Sequence, residues 1–270
     1  MSSAPPLASR PPLPRAVLFD LDDTLVVFDP VCGPAWREIC GSHADRVGLP
    51  AGELFRAIQQ VSRAYWSNPE RHRAGRLALE ETRAAIVGEA LRGRGIADPG
   101  LARTIAFEYS ALQESRIELF PDALATLSAL RDAGVRMALV TNGNARLQRR
   151  KIERFGLERF LSAFLVEGEL GFGKPDRRVF ERALQALEVS PDQAWCVGDN
   201  LEWDVAGAQA VGIHGIWKDS DRSGLPAGPV QPDRIIRELS ELLRTDQIPP
   251  AGARIPAQGS PRSAPGVKTR

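Results

Sequence analysis

Short apolar runs alternate with amphipathic helical stretches along most of this chain, the pattern that a parallel sheet covered by helices on both faces requires. Five runs read as strands buried on both sides: Ala16 to Leu21, Val135 to Thr141, Ala163 to Glu167, Ala194 to Gly198 and Ile213 to Trp217. Helices are expected between them at Asp122 to Ala133, Ala145 to Phe155, Arg177 to Leu187 and Asp204 to Val211. Gly134, Gly156 and Gly212 stand just past three of these, where a left-handed helix C-cap wants glycine.

One interval breaks the rhythm. Between the first run and the second there is no convincing strand. Ser42 to Val47, Gly52 to Trp66, Arg76 to Arg92 and Leu101 to Glu114 instead carry apolar residues at helical spacing, as in Leu54, Ile58, Val61 and Tyr65. The expected organisation is a Rossmann-like α/β core, residues 15–30 and 117–246, interrupted by a helical cap over residues 31–116. Residues 1–14 and 247–270 are expected to be disordered. The first 15 residues hold five prolines, and the last 24 hold five prolines and four basic residues with no acid.

Composition matters here for what it excludes. Thirty-five basic against 34 acidic residues leaves a net charge of +1, without the basic excess of a dedicated nucleic-acid binder. No apolar run approaches the roughly 18 residues of a membrane helix, and no apolar signal region opens the chain. Cys32, Cys40 and Cys196 match neither a zinc ribbon nor a redox CxxC, so reduced thiols in a cytoplasmic protein are expected, with Cys196 in the core.

The chemistry concentrates where strands end. Asp20-Leu21-Asp22-Asp23-Thr24 crowds three acids at the carboxyl end of the first strand, the edge at which open α/β sheets bind ligands. If strand geometry persists, Asp20 and Asp22 project to the same side, which suits one carboxylate for attack and one for moving protons. The plainer alternative is a turn in which Asp22 or Asp23 caps the next segment. Val140-Thr141-Asn142-Gly143-Asn144 offers a hydroxyl and main-chain amides before a helix, a phosphate cradle or an ordinary cap. Lys174, one of only four lysines, precedes the helix at Arg177; a lone lysine is more often solvated than catalytic. Gly198-Asp199-Asn200-Leu201-Glu202-Trp203-Asp204 adds hard oxygen donors at the same edge. Asp20 and Asp199 are candidate magnesium ligands, while Asp204 could simply favour a helix N-terminus.

In this order, the four stations resemble the haloacid dehalogenase-like hydrolase superfamily. Its DxDxT motif is met by Asp20, Asp22 and Thr24, its strand-ending Ser or Thr by Thr141, its Lys by Lys174, and its GDxxxxD by Asp199 and Asp204. The inserted helices resemble the superfamily's C1 cap, and the chain looks closest to its small-molecule phosphatases, such as nucleoside 5'-monophosphatases and phosphoglycolate phosphatases. The resemblance implies that Asp20 attacks phosphorus and that Asp22 serves as acid and then base. It implies Mg2+ held by Asp20, Asp199 and the main-chain carbonyl of Asp22, with Thr24 and Asp204 in support. Thr141, Asn142 and Lys174 would bind the phosphoryl oxygens of a small phosphorylated metabolite. A phosphomutase shares all four stations and is the nearest alternative. A 2-haloacid dehalogenase lacks the second acid, and a non-catalytic binding protein would have no use for a filled site. Phe28, Trp36, Tyr65 and Trp66 are candidates to contact a base or sugar, with packing within the cap the expectation, and Arg37, Arg63, Arg71 and Arg73 could meet a second anionic group, with solvation the expectation. Substrate identity and oligomeric state are left open.

Overall fold

The structure is a computed structural model that describes residues 13–244. The expected disorder of residues 247–270, and of all but the last two of residues 1–14, falls outside the described residues. Strands β1 (Ala16–Phe19), β2 (Val26–Val27) and β3 (Glu118–Leu119) surround the cap helices. These are α1 (Asp29–Val47), α2 (Ala51–Trp66), α3 (Pro69–Leu77), α4 (Leu79–Arg92) and α5 (Pro99–Arg116). The core continues through α6 (Ala123–Asp132), β4 (Arg136–Thr141), α7 (Ala145–Arg154), β5 (Ala163–Val166), α8 (Glu167–Leu170) and α9 (Arg177–Leu187). It ends with β6 (Ala194–Gly198), α10 (Gly207–Gln209), β7 (His214–Lys218) and β8 (Arg234–Ile236).

Six strands form one parallel sheet in the order β5-β4-β1-β6-β7-β8. Strand β1 is central, with Phe19 level with Leu139 of β4 and Val197 of β6. The chain builds outward from β1 on one side to β4 and β5, then returns to its other side for β6. The loops at the carboxyl ends of these three strands therefore part around a switch point, where a ligand crevice opens.

Alternation along the strands assigns the two faces. Val17, Phe19, Met137, Leu139, Trp195 and Val197 pack with Leu127 and Leu130 of α6 and Ile152 of α7. Ala16, Leu18, Ala138, Val140, Ala194 and Cys196 pack with Val179, Phe180, Ala183 and Leu187 of α9. The cap has its own apolar cluster, including Leu54, Ile58, Ile86, Leu91, Ile105 and Tyr109. Where the chain leaves and re-enters the core, β2 and β3 pair antiparallel, Val26 with Leu119 and Val27 with Glu118. That short clamp fixes both cap connections to each other.

Several boundaries differ from the sequence expectations. The first cap helix begins at Asp29, inside the segment read as core, and reaches Val47 rather than starting at Ser42. Pro30 sits in the first turn, where no N–H is needed, and Pro34 removes a single ladder bond. The stretch read as one helix from Arg76 to Arg92 is broken at Ala78, whose ψ of 54° is not helical. The helix expected from Asp204 starts earlier, at Leu201, as a wide turn through Ala206 in which Val205 N donates to Asn200 O at 3.3 Å. The three-residue strands and pairs at β2, β3 and β8 are too short for a periodicity to show. The three cysteines are free thiols. Among the described residues, no helix is long and apolar enough to cross a membrane.

Phe180 is fully buried, and a Cβ on Gly207 would come within 2.9 Å of its ring. Close approach of α10 to α9 thus depends on both residues. Phe180→Ala is expected to cost about 3–5 kcal/mol of unfolding free energy, read from urea denaturation midpoints.

Candidate active site

All eight site residues named from the sequence lie at or just beyond the carboxyl edge of the sheet. Lys174 is 3 % exposed, and its Nζ stands 2.6 Å from Asp20 Oδ1 and 2.6 Å from Asp204 Oδ1. Thr24 Oγ1 donates to the other Asp20 oxygen at 3.1 Å. Asp20 is held at the sheet edge by its own N–H, which donates to Val197 O at 2.9 Å and extends the ladder one residue past β1. Asp204 tucks beneath Gly198, where a Cβ would fall 2.2 Å from the Asp204 carboxyl carbon, so only glycine fits. Asn200 N donates to Asp204 Oδ2 at 3.0 Å, and Asn200 Oδ1 accepts from the N–H groups of Glu202 and Trp203.

Asp20, Asp199 and Asp204 each offer a carboxylate oxygen, all within 4.8 Å of one another. One lysine faces three acids. Burial, then repulsion by its neighbours Asp204 and Asp22, outweighs Lys174 and pushes the Asp20 carboxyl up to about 7. Burial together with Asp20 and Asp204 pushes Asp199 up to about 9. For Lys174, burial opposes the charge, yet Asp20 and Asp204 win and hold it protonated above its ordinary value. A cluster of hard oxygen donors short of positive charge fits a divalent cation such as Mg2+. Asp20 and Asp199 would hold it, while Asp204 is already bonded to Lys174 and Asn200.

Asp22 reaches the same cavity but has different partners. Lys151 Nζ lies 2.6 Å from its Oδ1, and Gln148 Nε2 donates to its Oδ2 at 3.0 Å. Gln148 also donates to Thr141 Oγ1 at 2.8 Å and to Asn142 O at 2.8 Å, tying the end of β4 to the acid. Gln148 and Lys151 are three residues apart on one face of α7, and neither was singled out from the sequence. The signal available was weak: Lys151 is another of the four lysines.

The capping alternative for this loop is realised by Asp23. Its Oδ1 accepts from Phe28 N at 2.9 Å and Asp29 N at 3.0 Å, closing the start of α1. Burial first, then Asp29, pushes its carboxyl up to about 6. Asn142 donates from Nδ2 to Lys174 O and accepts at Oδ1 from Lys174 N, both at 2.8 Å. Its side chain thereby joins the β4 loop to the lysine loop, and a Cβ on Gly173 would lie only 2.3 Å from Asn142 Oδ1.

The sequence also gave no role to Glu167, a buried acid at the end of the β5 run. It accepts from Gly143 N at 2.9 Å and receives both arms of Arg76, Nε at 2.7 Å and Nη2 at 2.8 Å. This fork joins cap helix α3 to the loop after β4. Arg76 also lies over the Trp203 ring, 4.9 Å from its centroid. Between cap and core is a cavity of about 790 Å3, lined by Asp20, Asp22, Thr141, Lys174 and Asp199 at its floor. Phe28, Trp36 and Trp66 line it as well as packing, whereas Arg37 and Arg71 are exposed as expected.

Residues 14–212 match the model of the haloacid dehalogenase-like hydrolase family, and the chain belongs to that family. It is 38% identical to the phosphoserine phosphatase of Thermus thermophilus over 87% of this chain and all of that protein. It is 32% identical to the ribulose-1,5-bisphosphate 5-phosphatase of Halopiger xanaduensis, over 84% of this chain and 97% of the other. Among solved structures, the magnesium-bound HAD-hydrolase YfnB of Bacillus subtilis superposes with a TM-score of 0.68 at 22% identity, over 88% of this chain and all of that one. At that identity the likeness concerns the fold.

The acid cluster carries a linkage. Asp20 and Asp199 bind protons more tightly folded than unfolded, so without metal their contribution to stability falls as pH rises from about 4 through 9. In chelator at pH 8, Asp199→Asn should therefore melt a few degrees above the parent protein, and the difference should shrink at pH 5. Equal melting temperatures at both pH values would contradict the crowding described.

Proposed function

We propose that this chain is a magnesium-dependent phosphatase that hydrolyses a small-molecule phosphate monoester through an aspartyl phosphate on Asp20. The observation that carries the reading is the pairing of two unlike carboxylates in one cavity. Asp20 is clamped by Lys174 and Thr24, and Asp22, two residues on, is held by Gln148 and Lys151. A halide leaves carbon without needing a proton, whereas an alkoxide leaving a phosphate ester needs one, so the second acid favours phosphoryl over dehalogenase chemistry.

In the reaction, an Asp20 carboxylate oxygen attacks phosphorus in line as the bond to the ester oxygen breaks, and Asp22 delivers a proton to the departing alkoxide. Asp22 then takes a proton from a water whose oxygen attacks phosphorus. The acyl phosphate bond breaks, inorganic phosphate leaves, and Asp20 is restored. Lys174, Thr141 and loop amides other than that of Gly143, which already donates to Glu167, neutralise phosphoryl oxygens, and Asn142 keeps the lysine loop in place. Mg2+ bound by Asp20 and Asp199 would supply the remaining charge neutralisation, the main need in a transfer that demands little covalent chemistry. Residues held by one another before substrate arrives lower the cost of ordering them later.

The relatives named above act on different phosphate esters, which supports the class of substrate and leaves its identity to assay. Three free thiols support a cytoplasmic setting, and a net charge of +1 supports a small metabolite rather than nucleic acid as partner.

With magnesium and a generic aryl phosphate, Asp20→Asn should release no phosphate above background. Asp22→Asn should lose about 10²–10⁴-fold in kcat. Sustained turnover by the first variant would overturn the nucleophile. Chelation should silence the enzyme and added Mg2+ restore it, while undiminished phosphate release in chelator would overturn the metal requirement.

A further inference from the structure

The cations lining the cavity are, with one exception, paired or exposed. Lys174 faces Asp20 and Asp204, Lys151 faces Asp22, Arg76 grips Glu167, Arg150 lies 3.2 Å from Glu114, and Arg63 is exposed. Arg83 on α4 is different. Among the described residues no carboxylate oxygen lies within 4.0 Å of its guanidinium, although the side chain sits inside the cap against the cavity. Burial lowers its affinity for its proton, the mark of a cation drawn out of water.

Its geometry is nevertheless fixed. Nη1 donates to Ser110 Oγ at 2.9 Å and Nη2 to Gln113 Oε1 at 2.5 Å, both on α5. Gln113 is 2 % exposed and is itself oriented by a bond from Nε2 to Cys32 Sγ at 2.8 Å. The guanidinium lies over Tyr109, 4.9 Å from the ring centroid, and Tyr109 stacks on Trp36 with centroids 3.6 Å apart. Two of the five N–H donors are thus taken by neutral acceptors, and the rest have no carboxylate to receive them. Holding a charged group partly out of water is costly when no carboxylate touches it, Glu80 acting on it only from beyond 4.0 Å, and an anion docked beside it would offset that cost.

We propose that Arg83, oriented by Ser110 and Gln113, is the specificity residue for a second anionic group on the substrate, so that the preferred esters are small metabolites with a phosphate at one end and a carboxylate or second phosphate at the other. The inference rests on the phosphatase reading. Asp20 and Arg83 line one cavity, from the core and the cap respectively, so a ligand long enough to span it would meet both charges, and Arg83 would reward only substrates with two anionic groups. Ser110 and Gln113 are neutral partners that aim the fork without cancelling its charge.

The test compares kcat/KM, with magnesium, for phosphoserine and phosphoglycolate, for fructose 1,6-bisphosphate, and for glycerol 3-phosphate as a tail without charge. The parent protein is expected to favour at least one doubly anionic ester over glycerol 3-phosphate by tenfold or more, and which ester it favours separates carboxylate from phosphate. In Arg83→Met and Arg83→Gln the ratio of doubly anionic to uncharged-tail ester should collapse about ten- to a hundredfold, mostly through KM, with Arg83→Lys intermediate. A parent protein that cleaves all four esters equally, or an unchanged ratio in the variants, overturns the subsite and leaves the phosphatase reading standing. Release of phosphate from none of these esters nor from an aryl phosphate counts against both. The comparison within the parent protein stands even if a variant does not fold.

Discussion

Three carboxylates brought within 4.8 Å around one buried lysine are the constraint on which the rest of this structure turns. Such a cluster is unfavourable by itself, because each buried acid raises the energy of the others, and Lys174 is the cation in contact with two of them. Everything near it restrains that conflict. Gly198 makes room for Asp204, Asn200 gives Asp204 a main-chain donor, Thr24 supports Asp20, and Asn142 ties down the main chain of Lys174. The surplus negative charge is then available for a cation, and burial together with that surplus holds the Asp20 and Asp199 carboxyls above the usual carboxylate range.

The cap is built to meet this site rather than merely to cover it. Its first helix is capped by Asp23, which belongs to the same loop as Asp20 and Asp22, so the loop that carries these acids and the cap begin as one unit. On the far side, Arg76 reaches down to Glu167, which also accepts from Gly143 in the loop after β4. Asn144 adds a bond from Nδ2 to Leu77 O at 2.7 Å. Movement of α3 would therefore be felt at the loop after β4. Such a connection makes cap position and phosphate-site geometry parts of a single arrangement, as enzymes that exclude water during transfer require.

The interior of the cap divides labour between packing and recognition. Leu54, Ile58, Ile105 and their neighbours give it an independent apolar core, which lets Arg83, Ser110 and Gln113 be placed on rigid helices. A side chain held by two neutral hydrogen bonds and an aromatic face loses little freedom when a ligand arrives. The stack of Trp36 on Tyr109 serves both ends: it fills the cap and supports the guanidinium.

How much of this was legible beforehand follows from what each signal needs. The strands, the helices α6, α7 and α9 and the acids at strand ends are written in local periodicity and in charged residues placed where burial is expected, so the sequence determined the α/β class and which eight residues were to be sought at the sheet edge. The start of α1 was hidden by Pro30, Gly33 and Pro34, which read as breakers until the fold puts Pro30 at a helix N-terminus. The pairs β2–β3 and β7–β8 join residues far apart in sequence and too few to show a period. Gln148, Lys151, Glu167 and Arg83 could not be ranked from their surroundings in the chain, because their meaning lies in partners 24 to 129 positions away or, for Arg83, in neutral partners and in no carboxylate among the described residues coming within 4.0 Å. Local sequence fixes which chemical groups stand at the sheet edge; only tertiary packing decides which charges are left facing one another, and which is left facing the cavity.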